Sequence, residues 1–109
     1  MRKFWLLSAI LASILSLPGG AYAEDYVITI KDHHFSPKEL TLPADQKIKI
    51  TVKNLDSTPA EFESYDLNRE KVVSANSDIV VFVGPLSAGS YGYFDDFHRD
   101  TTKGTITAK

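Results

Sequence analysis

No cysteine occurs anywhere in the 109-residue sequence. That excludes a disulfide framework, a thiolate zinc site, an iron–sulfur cluster and thiol catalysis. Methionine and tryptophan occur once each, as Met1 and Trp5. Basic charge is also short: 12 Lys and Arg stand against 14 Asp and Glu, for a net charge of −2. A nucleic-acid binder needs a basic footprint that this balance does not supply. There is no Gly-rich phosphate cradle, no Gly-x-Ser-x-Gly elbow and no Ser/His/Asp or Ser/Lys arrangement, because the glycines sit at turns. Hydrolysis is therefore discounted. Internal repeats, low-complexity tracts and linkers are missing too. What remains, at 43% hydrophobic and 24% charged residues, is an ordinary single globular domain.

The first segment stands apart from that domain. Arg2 and Lys3 form a positive start, and Phe4 to Leu17 is a hydrophobic h-region of 14 residues with no charge. Pro18-Gly19-Gly20 breaks the run, and Ala21-Tyr22-Ala23 supplies the small-x-small pattern of signal-peptidase cleavage. A bilayer-spanning helix needs about 20 apolar residues, so the run is short for an anchor. No Cys follows it to carry a lipid. The expectation is a cleaved signal peptide over 1–23, a mature domain over 24–109 and a periplasmic location. Removing the leader leaves 86 of the 109 residues, with 10 basic against 14 acidic side chains and a net charge of −4. The mature chain then has no sulfur at all. At this size only about 60–65% of the unfolded surface is buried, so the core must be a compact two-layer one.

The mature sequence reads as strands. Tyr26 to Lys31 is rich in β-branched and aromatic residues. Pro37 to Leu42 is a second short strand, ended by the turn signal Pro43-Ala44-Asp45. Lys47 to Lys53 is the clearest element, with Ile48, Ile50 and Val52 on one face and Lys47, Lys49, Thr51 and Lys53 on the other. Ala60 to Ser64, Asp78 to Val83, Ser90 to Phe94 and Gly104 to Ala108 follow, with Asp78 to Val83 read as buried. Six to eight short strands and no convincing helix indicate an all-β sandwich.

Chemistry-bearing residues gather in three places: Asp32-His33-His34, Glu61-Phe62-Glu63 and Asp95-Asp96-Phe97-His98. Residues two apart in an extended segment share a side. Glu61 then pairs with Glu63, and Asp96 with His98, while Phe62 and Phe97 enter the core. His33 and His34 point oppositely, so only one of them can be a ligand. Imidazole with carboxylates suits Fe(II), Fe(III), Cu(II) or Zn(II) and is too hard a set for Cu(I).

The order of features resembles a cupredoxin. The stretches N-L-D-S-T-P-A-E-F and Y-G-Y-F-D-D-F-H-R-D-T-T-K-G fall where that family carries its copper-binding loops. Matched residue by residue, the first copper His falls at Ala60 and the Cys at Asp95. The second His is retained as His98, and the axial Met falls at Thr102 with Gly104 kept. Three of the four blue-copper ligands are therefore replaced, and no type 1 centre is expected. A fuller match runs through H-x-F-x-P-x-x-L-x-L-P-A, T-P-A-E-F-E-S-x-x-L-x-x-E-K-V-V, G-P-L-x-x-G-x-Y and F-H-x-x-T-x-K-G-x-I. It is similar to the EfeO-type cupredoxin-like family, whose members accompany bacterial ferrous-iron permeases. In some of them cysteines stand where this chain has Phe35 and Asp95.

The resemblance implies a cupredoxin-like Greek-key β-sandwich that binds copper and/or iron in the periplasm. Such a protein would support ferrous-iron uptake by oxidising iron or handing it to a permease system. Glu61, Glu63 and His98 match motif positions; chemistry and spacing add Asp95, Asp96 and His34 as metal ligands. The expected partner is an iron permease complex or another periplasmic iron-uptake protein, with membrane contact only through that partner. The competing reading is a metal-free docking module for the same partners. An immunoglobulin-like adhesive domain fits the strand count but not the F-H-x-x-T-x-K-G loop.

Overall fold

The computed structural model describes residues 26–109; the expected signal peptide and cleavage site lie outside the described residues. Nine strands follow in order: β1 Tyr26–Lys31, β2 His34–Ser36, β3 Glu39–Leu42, β4 Ile48–Asn54, β5 Ala60–Ser64, β6 Arg69–Val73, β7 Asp78–Val83, β8 Gly89–Asp95 and β9 Lys103–Ala108. They form two sheets, β2-β1-β4-β7 and β3-β9-β8-β5-β6. The pairs β1/β4 and β3/β9 are parallel and the rest antiparallel. The chain leaves the first sheet after β4, forms the β5–β6 hairpin in the second, returns as β7 and ends in the second as β8–β9. No helix interrupts it among the described residues. This is the expected all-β sandwich.

Alternation decides which face of each strand is core. Ile48, Ile50 and Val52 of β4 are buried, as are Ile28 and Ile30 of β1, while Lys49 and Lys53 reach solvent. From the other sheet Phe62, Val73, Tyr93 and Ile106 face them.

Two strands were not legible in advance. β2 has a single apolar residue, Phe35, and β6 reads Arg-Glu-Lys-Val-Val with only Val73 buried. The charges that disguise β6 have a structural use. Arg69 Nε donates to the Phe82 carbonyl at 2.8 Å and Lys71 Nζ to the Val80 carbonyl at 3.3 Å. These side chains occupy carbonyls on the outer edge of β7, where an unpaired strand would otherwise invite another chain. β7 itself is a half-exposed edge strand rather than a buried one: Val81 and Val83 are buried, but Phe82 is 53% exposed.

Tyr93 is the keystone of the aromatic core. Its ring lies edge-on to Phe35 at 4.8 Å and stacks on Phe62 at 5.2 Å. Its hydroxyl donates to the Pro37 carbonyl at 3.4 Å, and burial pushes the phenol's pKa up. Gly104 lies directly against it: a Cβ there would come 2.4 Å from Tyr93 Cζ. Gly104→Ala should therefore lower stability by about 1–3 kcal/mol, the usual cost of overpacking a filled core. Chemical denaturation reads this directly; an unchanged midpoint would show that Tyr93 can move aside.

Candidate metal centre

The strand alternation of β5 sends Ala60, Phe62 and Ser64 inward and leaves Glu61 and Glu63 half-buried on the outer face of the five-stranded sheet. Pairing of β5 with β6 sets Glu63 opposite Glu70. Oxygen atoms of Glu61, Glu63 and Glu70 come within 4.8 Å of one another. Carboxylates this close to Glu61 raise the cost of ionising it. Glu61 responds most. The hydrogen bond with the Glu70 side chain, then partial desolvation and the Glu70 charge, push its pKa up to about 7, and Asp96 adds to the effect. Glu63 is raised as well, by desolvation first and then by Glu70.

Asp96 joins this acidic face through its backbone, its N–H donating to the Glu61 carbonyl at 2.9 Å. Its carboxylate is paired with Arg99, which also donates to the Tyr65 hydroxyl at 3.0 Å and lies over the Phe94 ring at 4.9 Å. The cation at hand is thus held by Asp96 and acts on Glu63 only as the last of the influences on it, a lowering one. An all-oxygen set of this kind suits a hard cation.

The loop after β8 is arranged differently from the extended-strand expectation. β8 ends at Asp95, and the following residues turn: His98 N–H donates to the Asp95 carbonyl at 2.9 Å and Thr102 N–H to the His98 carbonyl at 3.0 Å. In a turn, residues three apart meet. His98 therefore pairs with Asp95, Nδ1 to Oδ2 at 2.9 Å, and Asp96 pairs with Arg99 instead of sharing a side with His98. Phe97 is 48% exposed rather than in the core.

Asp95 is buried and its carboxylate is fully engaged. Oδ1 accepts from the N–H groups of Glu61 and Phe97, both at 2.9 Å, and Oδ2 faces His98. The Glu61–Asp95 hydrogen bond ties the acidic face to the loop. Across the loop stands His33, not His34. The His33 and His98 rings lie 3.9 Å apart, tilted by 31°. His33 is held in the left-handed region, at φ 60°, by its neighbours. Its N–H donates to Asp56 Oδ2 at 3.0 Å, the adjacent Asp32 N–H donates to Asp56 Oδ1, and Thr102 Oγ1 donates to the His33 carbonyl. Desolvation pushes Asp56 up, but these two amides and His33 outweigh it and hold its pKa below the ordinary value.

His34 lies exposed on β2 opposite Lys31 and makes no hydrogen bond, ion pair or ring contact with the other candidates. The six residues thus divide: Glu61, Glu63 and Asp96 on the acidic face, Asp95 and His98 in the loop, His34 apart. Sequence reasoning did not pick Glu70, His33 or Asp56 as ligands. Glu70 lies within the matched E-F-E-S-x-x-L-x-x-E-K-V-V stretch, but only the β5–β6 register brings it beside Glu61 and Glu63, and that strand was not recognised.

Comparison with known proteins completes the description. The sequence model of the cupredoxin-like domain matches residues 4–108. The chain belongs to the cupredoxin-like domain family. A protein of Rickettsia prowazekii (strain Madrid E), RP394, itself uncharacterised, is 47% identical over 79 residues, covering 72% of this chain. The match covers 63% of that relative's length, less than two thirds of it. Among solved structures, amicyanin from Paracoccus versutus aligns with a TM-score of 0.62 at 16% identity, over 84% of this chain and 87% of its own. The metal-binding domain of the Streptococcus pneumoniae D39 Cu(I)-exporting ATPase CopA, determined with Cu(I), aligns at 0.69 and 14% identity, over 78% of this chain and 84% of its own. At those identities the structural likeness establishes the fold alone.

The residues at the family's copper position do not fit a type 1 centre. Such a centre is built on a thiolate and paired imidazoles. Asp95, which the sequence resemblance sets at the thiolate position, has its oxygens already committed to Glu61, Phe97 and His98. Ala60 is buried and brings no donor, and the Thr102 hydroxyl is spent on the His33 carbonyl. Around Asp95 this cupredoxin-like chain has a closed hydrogen-bond network.

Proposed function

We propose that this protein is a periplasmic, EfeO-like cupredoxin that serves ferrous-iron uptake by holding iron on the acidic face and passing it to a permease partner. The observation behind this reading is the Glu61–Glu63–Glu70 group, whose carboxylates meet within 4.8 Å on one face of a sheet. Carboxylates are hard ligands and favour Fe(III) over Fe(II). Iron held there would be bound more tightly as Fe(III) than as Fe(II), so iron that arrives oxidised would be retained until transfer. Half-exposure of the group leaves iron accessible to a partner. The signal-peptide pattern at the N-terminus supports the periplasmic location, and the E-F-E-S and F-H-x-x-T-x-K-G motifs support the link to iron permeases.

The test is titration of the protein with Fe(II) under anaerobic conditions and with Fe(III) as a soluble chelate. Glu61→Gln should weaken binding by about tenfold, and Glu61→Gln with Glu70→Gln should abolish it at micromolar iron, since two charged oxygen ligands are then gone. Equal affinity in the double variant and the wild type overturns the reading. The closed network around Asp95 favours one alternative, a docking module that works without metal. A partner that co-purifies equally well from chelator-treated and untreated extract would decide for that alternative.

A further inference from the structure

A glycine stands exposed in the middle of β8, the central strand of the five-stranded sheet. Such a residue weakens a strand, because it adds freedom to the chain and packs no side chain. The backbone at Gly92 does not require it. The glycines at positive φ are Gly84 and Gly89, and a Cβ at Gly92 would meet only Asp66 Oδ2, at an ordinary 3.6 Å. The Gly92 N–H donates to Asp66 Oδ2 at 2.8 Å and its carbonyl accepts from Ser64 Oγ at 2.7 Å, bonds that need no glycine. What the missing side chain leaves is an open cavity of about 570 Å³ on the outer face of the sheet, with Gly92 in its lining. That volume is within the range of small-molecule sites.

The walls combine a fixed aromatic platform with mixed polar groups. Tyr65 is 67% exposed, yet it is held in place. Arg99 Nη2 donates to its hydroxyl at 3.0 Å, and its ring meets Phe94 edge-on at 5.3 Å. Arg99, Asp100, Lys103 and Thr105 complete the wall. Among the described residues, Nη1 of Arg99 and the side chains of Asp100, Lys103 and Thr105 have no hydrogen-bond or ion-pair partner. Donors and acceptors are therefore both free. The lining carries two cations, Arg99 and Lys103, and two anions, Asp66 and Asp100. A lining of balanced sign selects neither an anion nor a cation.

We propose that this cavity binds a neutral pyranose unit of an oligosaccharide, with one face of the sugar ring on Tyr65. A pyranose presents C–H groups on its faces and hydroxyls around its edge. The C–H face is complementary to the negative face of an aromatic ring. Each hydroxyl both donates and accepts, and the free groups of Lys103, Arg99, Asp100 and Thr105 offer both partners. The cavity is open to solvent, so further units of the chain extend beyond it. The site is independent of the iron reading, since Glu61, Glu63 and Glu70 are not in its lining.

Nuclear magnetic resonance titration of the isotope-labelled protein with cellotriose, chitotriose and mannotriose is the test. At least one should bind saturably at millimolar concentration or below and shift the amides of Gly92 and Thr105. Its affinity should stay constant from about 0.05 to about 0.5 M salt, because the ligand is uncharged. Gly92→Val puts a strand-favouring side chain into the cavity, so the fold should be retained while binding falls at least about tenfold. Tyr65→Ala should also cost about tenfold, whereas Tyr65→Phe keeps the platform and most of the affinity. Glu61→Gln with Glu70→Gln should leave sugar binding intact, so failure of the iron reading and failure of this site give different results. Binding of none of the three sugars, saturable shifts confined to other residues, or full affinity in folded Gly92→Val overturns the proposal. A preference for benzoate that weakens with salt also overturns it, by making Arg99 and Lys103 an anion site.

Discussion

Affinity of the acidic face for a hard divalent ion should rise about tenfold per pH unit up to about pH 7 and flatten above it. The reason is Glu61, which Glu70, partial desolvation and Asp96 hold half-protonated at about pH 7. An ion must displace that proton, so below pH 7 each unit of acidity makes the competitor ten times more abundant. Mn(II) is a suitable redox-inert probe, and calorimetry in buffers of different ionisation enthalpy should show close to one proton released per ion at pH 6. Stability without metal follows the same linkage. The folded-state pKa of about 7 lies above the ordinary 4.5, so the folded state binds more protons than the unfolded one in between. This contribution to stability is fully present below about pH 4.5 and is lost as pH rises through about 7. The melting temperature of the metal-free protein should therefore fall across that window, and saturating Mn(II) should reverse the fall. Glu70→Gln should flatten both profiles, because it removes the first cause of the shift. A pH-independent affinity would show that Glu61 is not a ligand.

The fold was legible because it rests on alternation, and the site was only partly legible because it rests on register and turns. β4 shows the first point: Ile48, Ile50 and Val52 alternate with polar residues, and the same residues fill the core. Glu61 and Glu63 follow from the same rule, with Phe62 buried between them. Glu70 does not, since its place beside them depends on how the Tyr65–Asn68 turn registers β6 against β5, and the charges of β6 conceal that it is a strand. The loop from Asp96 to Thr102 failed for a related reason. Period-two reasoning joins Asp96 to His98, but hydrogen bonding from the backbone of His98 to Asp95 closes a turn of period three. His33 was passed over because alternation cannot choose between adjacent histidines. The choice is made 23 residues away by Asp56, whose carboxylate takes the His33 amide.

Asp95→Cys together with Ala60→His should turn a protein that stays colourless with copper into one with an intense visible band. With His98 these substitutions supply one thiolate and two imidazoles, the set on which a blue site depends. The sandwich already provides the surroundings. The N–H groups of Glu61 and Phe97, which now donate to Asp95, would donate to the sulfur, and His98 Nδ1 would be released from its carboxylate. Neither single substitution suffices, because Asp95→Cys leaves the first copper-histidine position at Ala60 without a donor and Ala60→His leaves no thiolate. The cost falls on stability. Ala60 is 2% exposed, so a larger ring there should cost about 1–3 kcal/mol through overpacking. Asp95→Ala, which supplies nothing in exchange, leaves two amides without an acceptor at about 1–3 kcal/mol each and should be the more destabilising change. Absorbance after Cu(II) addition, read beside circular dichroism to confirm folding, checks the gain. A folded double variant that binds copper without the band would mean that the loops after β4 and β8 no longer hold the geometry of the family's copper site. The carboxylate at Asp95 would then be a consequence of losing that geometry rather than the substitution that closed the site.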